Sequence, residues 1–311
     1  MLGPSLPTDT PFYVVLNGGS GHLETQDRLD TIREVFTAAG RRFELMHVKD
    51  PRQLVEAGRQ AVAWARKHGG AVVAAGGDGT INAMAQQVLP TGLPFGVLPQ
   101  GTFNYFGRAH GIPTETRQAA EALLTARVHP VQVGQVNDKL FLVNGSMGLY
   151  PQLLDDREAF KKRFGRSRPV AVLAALSTLF GRHRNWVIKL EADGETKTVT
   201  TPTLFVGNNV LQLHQIGIDE APALREGQLV AIMVKPLSRW AMLMLMLKGA
   251  RGQLGAADQV TSLAFTSLTV EPRMPRKPKR LKVATDGEIV WLQTPLRFEP
   301  APQTLRLLVP G

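Results

Sequence analysis

Cysteine is absent from this chain, so neither a disulfide framework nor a thiolate metal site is open to it. Aromatic residues make up only 6% and no nucleic-acid module is recognisable, which argues against a nucleic-acid binder. Long apolar runs are missing as well. The longest are Pro169–Phe180, broken by Ser177 and Thr178, and Trp240–Leu247; both fall short of the roughly 20 residues that span a bilayer. There is no heptad pattern, internal repeat or low-complexity tract. Met1–Pro11 lacks a basic stretch followed by an apolar core, so no signal peptide is expected. Also missing are a Gly-x-x-x-x-Gly-Lys-Ser/Thr loop and any protein-kinase signature.

What remains is a chain of 311 residues, 43% apolar, with 36 Lys and Arg against 26 Asp and Glu, a net charge of +10. The length suffices for two domains with real cores. The charge favours an anionic partner without choosing among nucleotide, nucleic acid and membrane.

The most informative stretch is Ala71-Val72-Val73-Ala74-Ala75-Gly76-Gly77-Asp78-Gly79-Thr80-Ile81-Asn82. An apolar run reads as a buried strand, and a helical pattern resumes at Thr80 with Ile81, Met84, Ala85 and Val88 on one face. Glycines between a strand and a helix start let a backbone approach an anion closely. Asp78 at that spot would repel phosphate unless it held a metal ion or handled a proton. A tight turn with Asp78 as a cap explains the same residues equally well.

Taken in order, Phe12–Leu16 reads as a strand followed by the turn Asn17-Gly18-Gly19-Ser20-Gly21. The helix after it has Ile32, Val35, Phe36 and Ala39 inward. Phe43–Val48 is a strand, Pro51 opens a helix with Leu54, Ala57, Ala61 and Ala65 inward, and Phe95–Leu98 is a strand ending in Pro99-Gln100-Gly101-Thr102-Phe103-Asn104. Alternating strands and helices imply a parallel α/β sheet, and the turns 17–21, 76–82 and 100–104 fall at carboxyl ends of strands, where such sheets bind ligands.

Past Arg127 the pattern becomes short β runs at 131–136, 140–144, 186–191, 197–206, 229–234, 265–270, 281–285 and 289–292. These read as a mostly antiparallel β-sandwich with two helical insertions, Arg157–Arg184 and Ser238–Arg251. The expected division is 1–127 and 128–311, with the last strand free to return to the first domain. Each insertion reads either as a core-facing helix or as a basic, apolar face resting on an anionic membrane. Arg273–Lys282, with six Lys and Arg in ten residues, reads as an exposed linker. Asp286-Gly287 reads as a hairpin turn, and Asp286 and Glu288 would lie on one side of an extended segment as base and metal contact.

Five motifs then occur in register: Gly76-Gly77-Asp78-Gly79-Thr80-Ile81-Asn82, Leu98-Pro99-Gln100-Gly101-Thr102-Phe103-Asn104, Asn144-x-Ser146-x-Gly148, Val206-Gly207-Asn208-Asn209 and Asp286-Gly287-Glu288. Their order and spacing resemble the diacylglycerol kinase catalytic domain family, which includes bacterial lipid kinases and sphingosine kinases. The resemblance covers about residues 12 to 309. It implies a nucleotide-binding α/β domain akin to those of NAD kinases and phosphofructokinases, then a β-sandwich, with ATP in the cleft between them. The activity it implies is ATP- and Mg²⁺-dependent phosphorylation of a lipid hydroxyl, diacylglycerol or a related lipid. On that resemblance the residues Gly76, Gly77, Asp78, Gly79, Thr80 and Asn82 hold the triphosphate beside Gly101, Thr102 and Asn104, and Asn17, Ser20 and Gly21 form the first nucleotide turn. Asp286 or Glu288 supplies the base, Asp78 works with Mg²⁺ or takes the proton itself, and Glu226 falls where many bacterial members place a structural Mg²⁺. The partners implied are the lipid and an anionic membrane surface, with a homodimer among the expectations, and the place is the cytoplasmic face of the membrane.

The chain departs from the family pattern at Gly18, where proline is usual, at Tyr105 and Gln132, where acids are usual, and at Val210-Leu211-Gln212-Leu213, which replaces a Gly-Gly stretch. Two other readings share these residues: a soluble NAD kinase, and a non-catalytic, nucleotide-regulated membrane-binding module.

Overall fold

The computed structural model describes residues 3–18, 22–155, 184–273 and 278–311. The first insertion, 157–184, therefore lies almost wholly outside the described residues, as do Ser20, Gly21 and part of the basic stretch 273–282. Two compact units divide the chain, Met1–Val133 with Ala301–Gly311, and Gly134–Pro300.

The first unit alternates β1 (Phe12–Asn17), α1 (His22–Ala38), β2 (Phe43–Val48), α2 (Leu54–His68), β3 (Ala71–Gly76), α3 (Asp78–Val88) and β4 (Phe95–Pro99). Two short helices, α4 (Tyr105–Ala109) and α5 (Thr116–Leu124), precede β5 (Arg127–Val131). Strands β2, β1, β3 and β4 lie side by side and parallel. The strand Leu305–Val309 then pairs parallel to β4 and antiparallel to β5, completing six strands. Every residue of β3 is buried, as a central strand covered on both faces by helices requires. The region thus begins with an α/β parallel-sheet domain.

Local chemistry sets the helix ends. Pro51 opens a single 3-10 turn that leads into α2, and Gly69, at φ 65°, closes α2 in the left-handed conformation beside Arg66, Lys67 and His68. On α3 the expected inward face holds: Ile81, Met84, Ala85 and Val88 are all buried. Two neighbours differ from expectation. Ala39 lies past the end of α1 and is exposed, and the helix buries Leu29 with Ile32, Val35 and Phe36 instead. Ala57 is half-buried, while Gly58 and Val62 complete the inward stripe of α2.

The second unit is an antiparallel sandwich of two six-stranded sheets. Its strands are β6 (Gly134–Val136), β7 (Lys139–Phe141), β8 (Asn144–Gly148), β9 (Trp186–Ala192), β10 (Glu195–Thr201), β11 (Thr203–Gly207), β12 (Leu229–Val234), β13 (Val260–Phe265), β14 (Leu268–Pro272), β15 (Arg280–Thr285), β16 (Glu288–Gln293) and β17 (Leu296–Pro300). Leu305–Val309, in the first unit, is β18. One sheet runs β10-β9-β14-β17-β6-β7 and the other β13-β12-β11-β8-β15-β16. Phe141, Met147, Leu190, Val206, Phe265 and Phe298 are among the side chains packed in their shared core.

The run 197–206, expected to be one strand, is cut at Pro202, and its halves, β10 and β11, belong to opposite sheets. Proline cannot donate to a ladder, and Thr201 Oγ1 turns the corner within hydrogen-bond reach of the carbonyls of Thr203 and Val234, one of which takes its single proton. Likewise 131–136 is shared between the units, and the contact division falls at 133/134 where the sequence places it at 127/128, because β5 pairs with β18. Arg280 and Lys282 lie within β15, so the basic stretch is not all linker. Two further helices, α6 (Val210–Gln215) and α7 (Arg239–Ala250), interrupt the strands. Among the described residues no helix is long and apolar enough to cross a membrane.

Candidate functional site

In the first unit β1, β3 and β4 lie side by side, so their last residues Asn17, Gly76 and Pro99 end at one side of the sheet, with the turns 76–82 and 100–104 together. Asn17 Nδ2 donates to Thr80 Oγ1 at 2.9 Å, and the Gln100 amide N–H donates to the Gly76 carbonyl at 2.8 Å. Gly77 and Gly101 touch backbone to backbone. A Cβ added to Gly101 would meet Gly77 Cα at 2.8 Å and Asn104 Oδ1 at 2.9 Å, and one on Gly76 would meet the Thr80 side chain at 2.6 Å. Only glycine fits such approaches. Asn104, held at φ 51°, closes its turn by accepting from Gly101 N–H and donating to the Gly101 carbonyl, at 2.7 and 2.9 Å.

Asp78 opens α3, behind an N-cap glycine that has no side chain to offer. Its carboxylate reaches instead to the start of α4, accepting from Tyr105 N–H at 3.3 Å and Phe106 N–H at 3.2 Å. It therefore caps a different helix, a contact 27 residues away that local spacing does not reveal. The first-turn N–H groups of α3 lack intrahelical partners, as in any helix, and form an anion-binding end. Gly79 sits in that first turn, Asn82 is buried one turn in with its Oδ1 accepting from Gln86, and Thr102 is exposed at the rim. Tyr105 stacks on Phe103 with ring centroids 5.6 Å apart. Behind α4, His110 packs edge-on to Phe106. Burial first, and the charge of His129 second, push its pKa down to about 4.

Three polar atoms in this cradle are buried without a hydrogen-bond partner: Asn17 Oδ1 and both ends of the Gln100 amide. Buried polar groups are almost always satisfied, so these three atoms are exceptions in the packing of the cradle. Gln100 belongs to the turn motif 98–104, which assigns it no role. An amide between a strand-ending proline and a glycine is the only local signal for it.

In the second unit the Asp286-Gly287 turn joins β15 to β16 with φ of 48° and 86°, the left-handed pair that a two-residue hairpin turn requires. The two carboxylates consequently do not project from one extended segment. Asp286 turns inward and accepts three backbone N–H bonds, from Leu142 at 2.7 Å, Val143 at 2.9 Å and Asn144 at 2.9 Å. Its own N–H returns to the Asn144 carbonyl. Glu288 begins β16 opposite Thr285. Its side chain keeps an open face to solvent, yet burial among surrounding protein atoms raises its carboxyl above the ordinary range.

Around Asp286 the remaining motifs converge. Asn208 donates its N–H to the Val143 carbonyl and its Nδ2 to that of Leu142, and Asn209 Oδ1 caps α6 by accepting from Gln212 N–H. Through α6, the departure at 210–213 positions Gln212, whose Oε1 accepts from Asn144 Nδ2 at 3.1 Å. Asn144 Oδ1 and Ser146 Oγ are buried and unpaired, two residues apart on β8. Glu226 is exposed at the end of the 3-10 helix Ala221–Glu226. Among the described residues no group of three His, Cys, Asp or Glu side chains gathers to hold a metal ion.

Comparison with known proteins places these features. Residues 11–136 match the diacylglycerol kinase catalytic domain, and residues 158–309 match the YegS C-terminal NAD kinase beta sandwich-like domain. An uncharacterized protein of Synechocystis is 26% identical over 212 residues, 63% of this chain and 46% of that one. The diacylglycerol kinase of Bacillus subtilis is 39% identical over 88 residues, 27% of this chain and 29% of that one. The chain thus spans under half the length of both relatives. In fold it is similar to the crystal structure of a diacylglycerol kinase from Bacillus anthracis, with a TM-score of 0.66, 18% identity and 97% of each chain covered.

Proposed function

The chain belongs to the diacylglycerol kinase catalytic domain family, and on that premise we propose that it transfers the γ-phosphate of ATP to a lipid hydroxyl, diacylglycerol or a close relative. The observation that carries this reading is the cradle at the ends of β1, β3 and β4. There glycine backbones close on each other beside an open helix start, and Asn17 and Gln100 hold unsatisfied buried amide atoms.

In this reading the N–H groups of Asp78, Gly79 and Thr80 take phosphate oxygens, with the Thr102 hydroxyl beside them. Mg²⁺ carried on the phosphates would neutralise their charge and template the transfer. Asp78 is the carboxylate that would hold it, each oxygen keeping a lone pair beyond its long bonds to 105 and 106; Glu226 is the second assignment.

For the acceptor, the lipid oxygen attacks the γ-phosphorus, the bond to the bridging oxygen breaks and ADP leaves. A proton must leave the lipid alcohol, which is not acidic at neutral pH. Of the two candidate bases Glu288 suits this better, because desolvation has already raised its proton affinity. Three N–H donors stabilise Asp286 in its charged form and occupy its oxygens, so its role is to hold 142–144, and with them Asn144, in place. A lipid acceptor puts this work at an anionic membrane surface, on the cytoplasmic side. Radiolabelled ATP with diacylglycerol, a sphingoid base and a polyprenol tests the reading. Labelled lipid is expected from the native chain and none from Glu288→Gln; a blank for the native chain with all three lipids overturns it.

A further inference from the structure

We propose that α7 (Arg239–Ala250) is an interfacial helix, lying flat on an anionic bilayer with Trp240, Met244 and Leu247 among the lipids and Lys248 and Arg251 on their phosphates. The proposal draws on the lipid-kinase reading only for its biological sense; its physical basis is independent of the reaction.

The sequence of this helix is apolar nearly all the way round, Arg-Trp-Ala-Met-Leu-Met-Leu-Met-Leu-Lys-Gly-Ala. Such a helix is ordinarily buried on every side. Here only one face is. Met242 and Leu245, 6% and 5% exposed, pack with Leu149, Val234 and Ala257. The opposite face presents Trp240 at 67%, Met244 at 52% and Leu247 at 42% exposure. These positions are spaced i, i+4 and i+7, so they form one stripe along the helix. Across the described residues, large apolar side chains are exposed singly elsewhere but gather three deep on this face.

The charges along this stretch are mostly basic. Residues 235–258 contain Lys235, Arg239, Lys248 and Arg251 against one acid, Asp258. Lys248 and Arg251 are exposed in the last turn and just beyond it. An apolar stripe bordered by cations fits acyl chains below and lipid phosphates at the rim, and tryptophan favours that boundary. Twelve residues of helix, at about 1.5 Å each, are too short to span the core but long enough to lie on it. A second copy of the chain fits less well. The stripe offers a few hundred Å² of surface, below the ~800 Å² per partner of a standard protein interface.

The test is co-sedimentation of the full chain, without nucleotide, with vesicles of phosphatidylcholine alone or mixed with phosphatidylglycerol. The native chain is expected to bind the anionic vesicles and not the neutral ones. Replacing Trp240, Met244 and Leu247 together by serine should weaken that binding at least about tenfold, as loss of inserted apolar area predicts. Lys248→Glu with Arg251→Glu should weaken it similarly. Trp291→Ala, a control at another exposed tryptophan, should leave it unchanged. Circular dichroism checks that each variant is folded, and the charge-reversed pair leaves the apolar stripe intact if the serine variant is not. A chain with Trp64, Trp186 and Trp291 changed to phenylalanine should show a blue shift of Trp240 emission on the vesicles. Overturning results are full binding by the serine variant, no binding by the native chain, or a native dimer that the serine variant dissolves. Failure here leaves phosphorylation of a short-chain lipid in detergent untouched, whereas failure of the kinase reading would abolish that reaction and leave vesicle binding.

Discussion

Replacing Asp286 by asparagine separates a scaffold from a base. In the native chain Oδ1 accepts from Val143 and Asn144 and Oδ2 from Leu142, three residues no more than 4% exposed. A hydrogen bond to a charged group contributes about 1.5–3 kcal/mol, and a buried N–H left unpaired costs about 1–3 kcal/mol. Asparagine keeps one oxygen for Val143 and Asn144 but turns an NH₂ group toward Leu142 N–H. The loss should be about 2–3 kcal/mol. Asparagine tolerates the left-handed φ of 48°, so strain adds little. Alanine would orphan all three donors and lose about 5 kcal/mol or more, comparable to the stability of a whole domain. The assay is urea unfolding followed by tryptophan emission, in which Asp286→Asn should move the midpoint down by roughly 1 M at an ordinary denaturant slope. Glu288→Gln should show the reverse pattern. Ionised Glu288 is partly desolvated in the folded chain while one face stays open to solvent, so neutralising it should leave stability nearly unchanged while phosphorylation disappears. If Asp286→Asn unfolds at the native midpoint yet is inactive, Asp286 handles the proton and the scaffold reasoning fails.

Gly101→Ala would drive a Cβ to 2.8 Å from Gly77 Cα. An overpacking strain of about 1–3 kcal/mol should reduce ATP-analogue affinity, measured by fluorescence titration, while the sandwich unit stays folded. On the proposed reading Glu288 accepts the lipid proton only when ionised, and burial raises its pKa, so the acidic limb of the rate profile should lie above the ordinary carboxylate range, and Asp286→Asn should not move it. His110 titrates at about 4 when folded against 6.5 when unfolded. The unfolded chain then binds the extra proton between those values, so stability is full above 6.5 and falls as pH drops toward 4, by about 3 kcal/mol. His110→Gln should remove that slope from thermal melts taken across the window.

What could be read from the residues depended on how local the cause was. The inward face of α3 followed from its spacing, and the turns at 76–82 and 100–104 followed from their glycines, of which Gly76 and Gly101 leave no room for a Cβ. Pro202 was also visible, but a proline says only that a ladder is interrupted, not that the chain crosses to the other sheet. Ala39 was misplaced because a 3.6-residue pattern does not mark where a helix stops. The roles of Asp78 and Asp286 were least legible. Each carboxylate serves backbone N–H groups far away in sequence, 27 and 28 residues on for Asp78 and 142 to 144 residues back for Asp286. Side-chain identity announces an acid; only the fold says which donors reach it.

The placement of β18 has a consequence for how the molecule is made. The strand lies between β4 and β5, yet the whole of Gly134–Pro300 separates it from β5 along the chain. During vectorial synthesis the sandwich can emerge and fold while the first sheet still lacks an interior member, with β4 and β5 each offering an unpaired edge. Such edges invite mispairing. The glycine cradle at the ends of β1, β3 and β4 is therefore built early in sequence but braced late, and its sheet closes only after the second unit has left the ribosome.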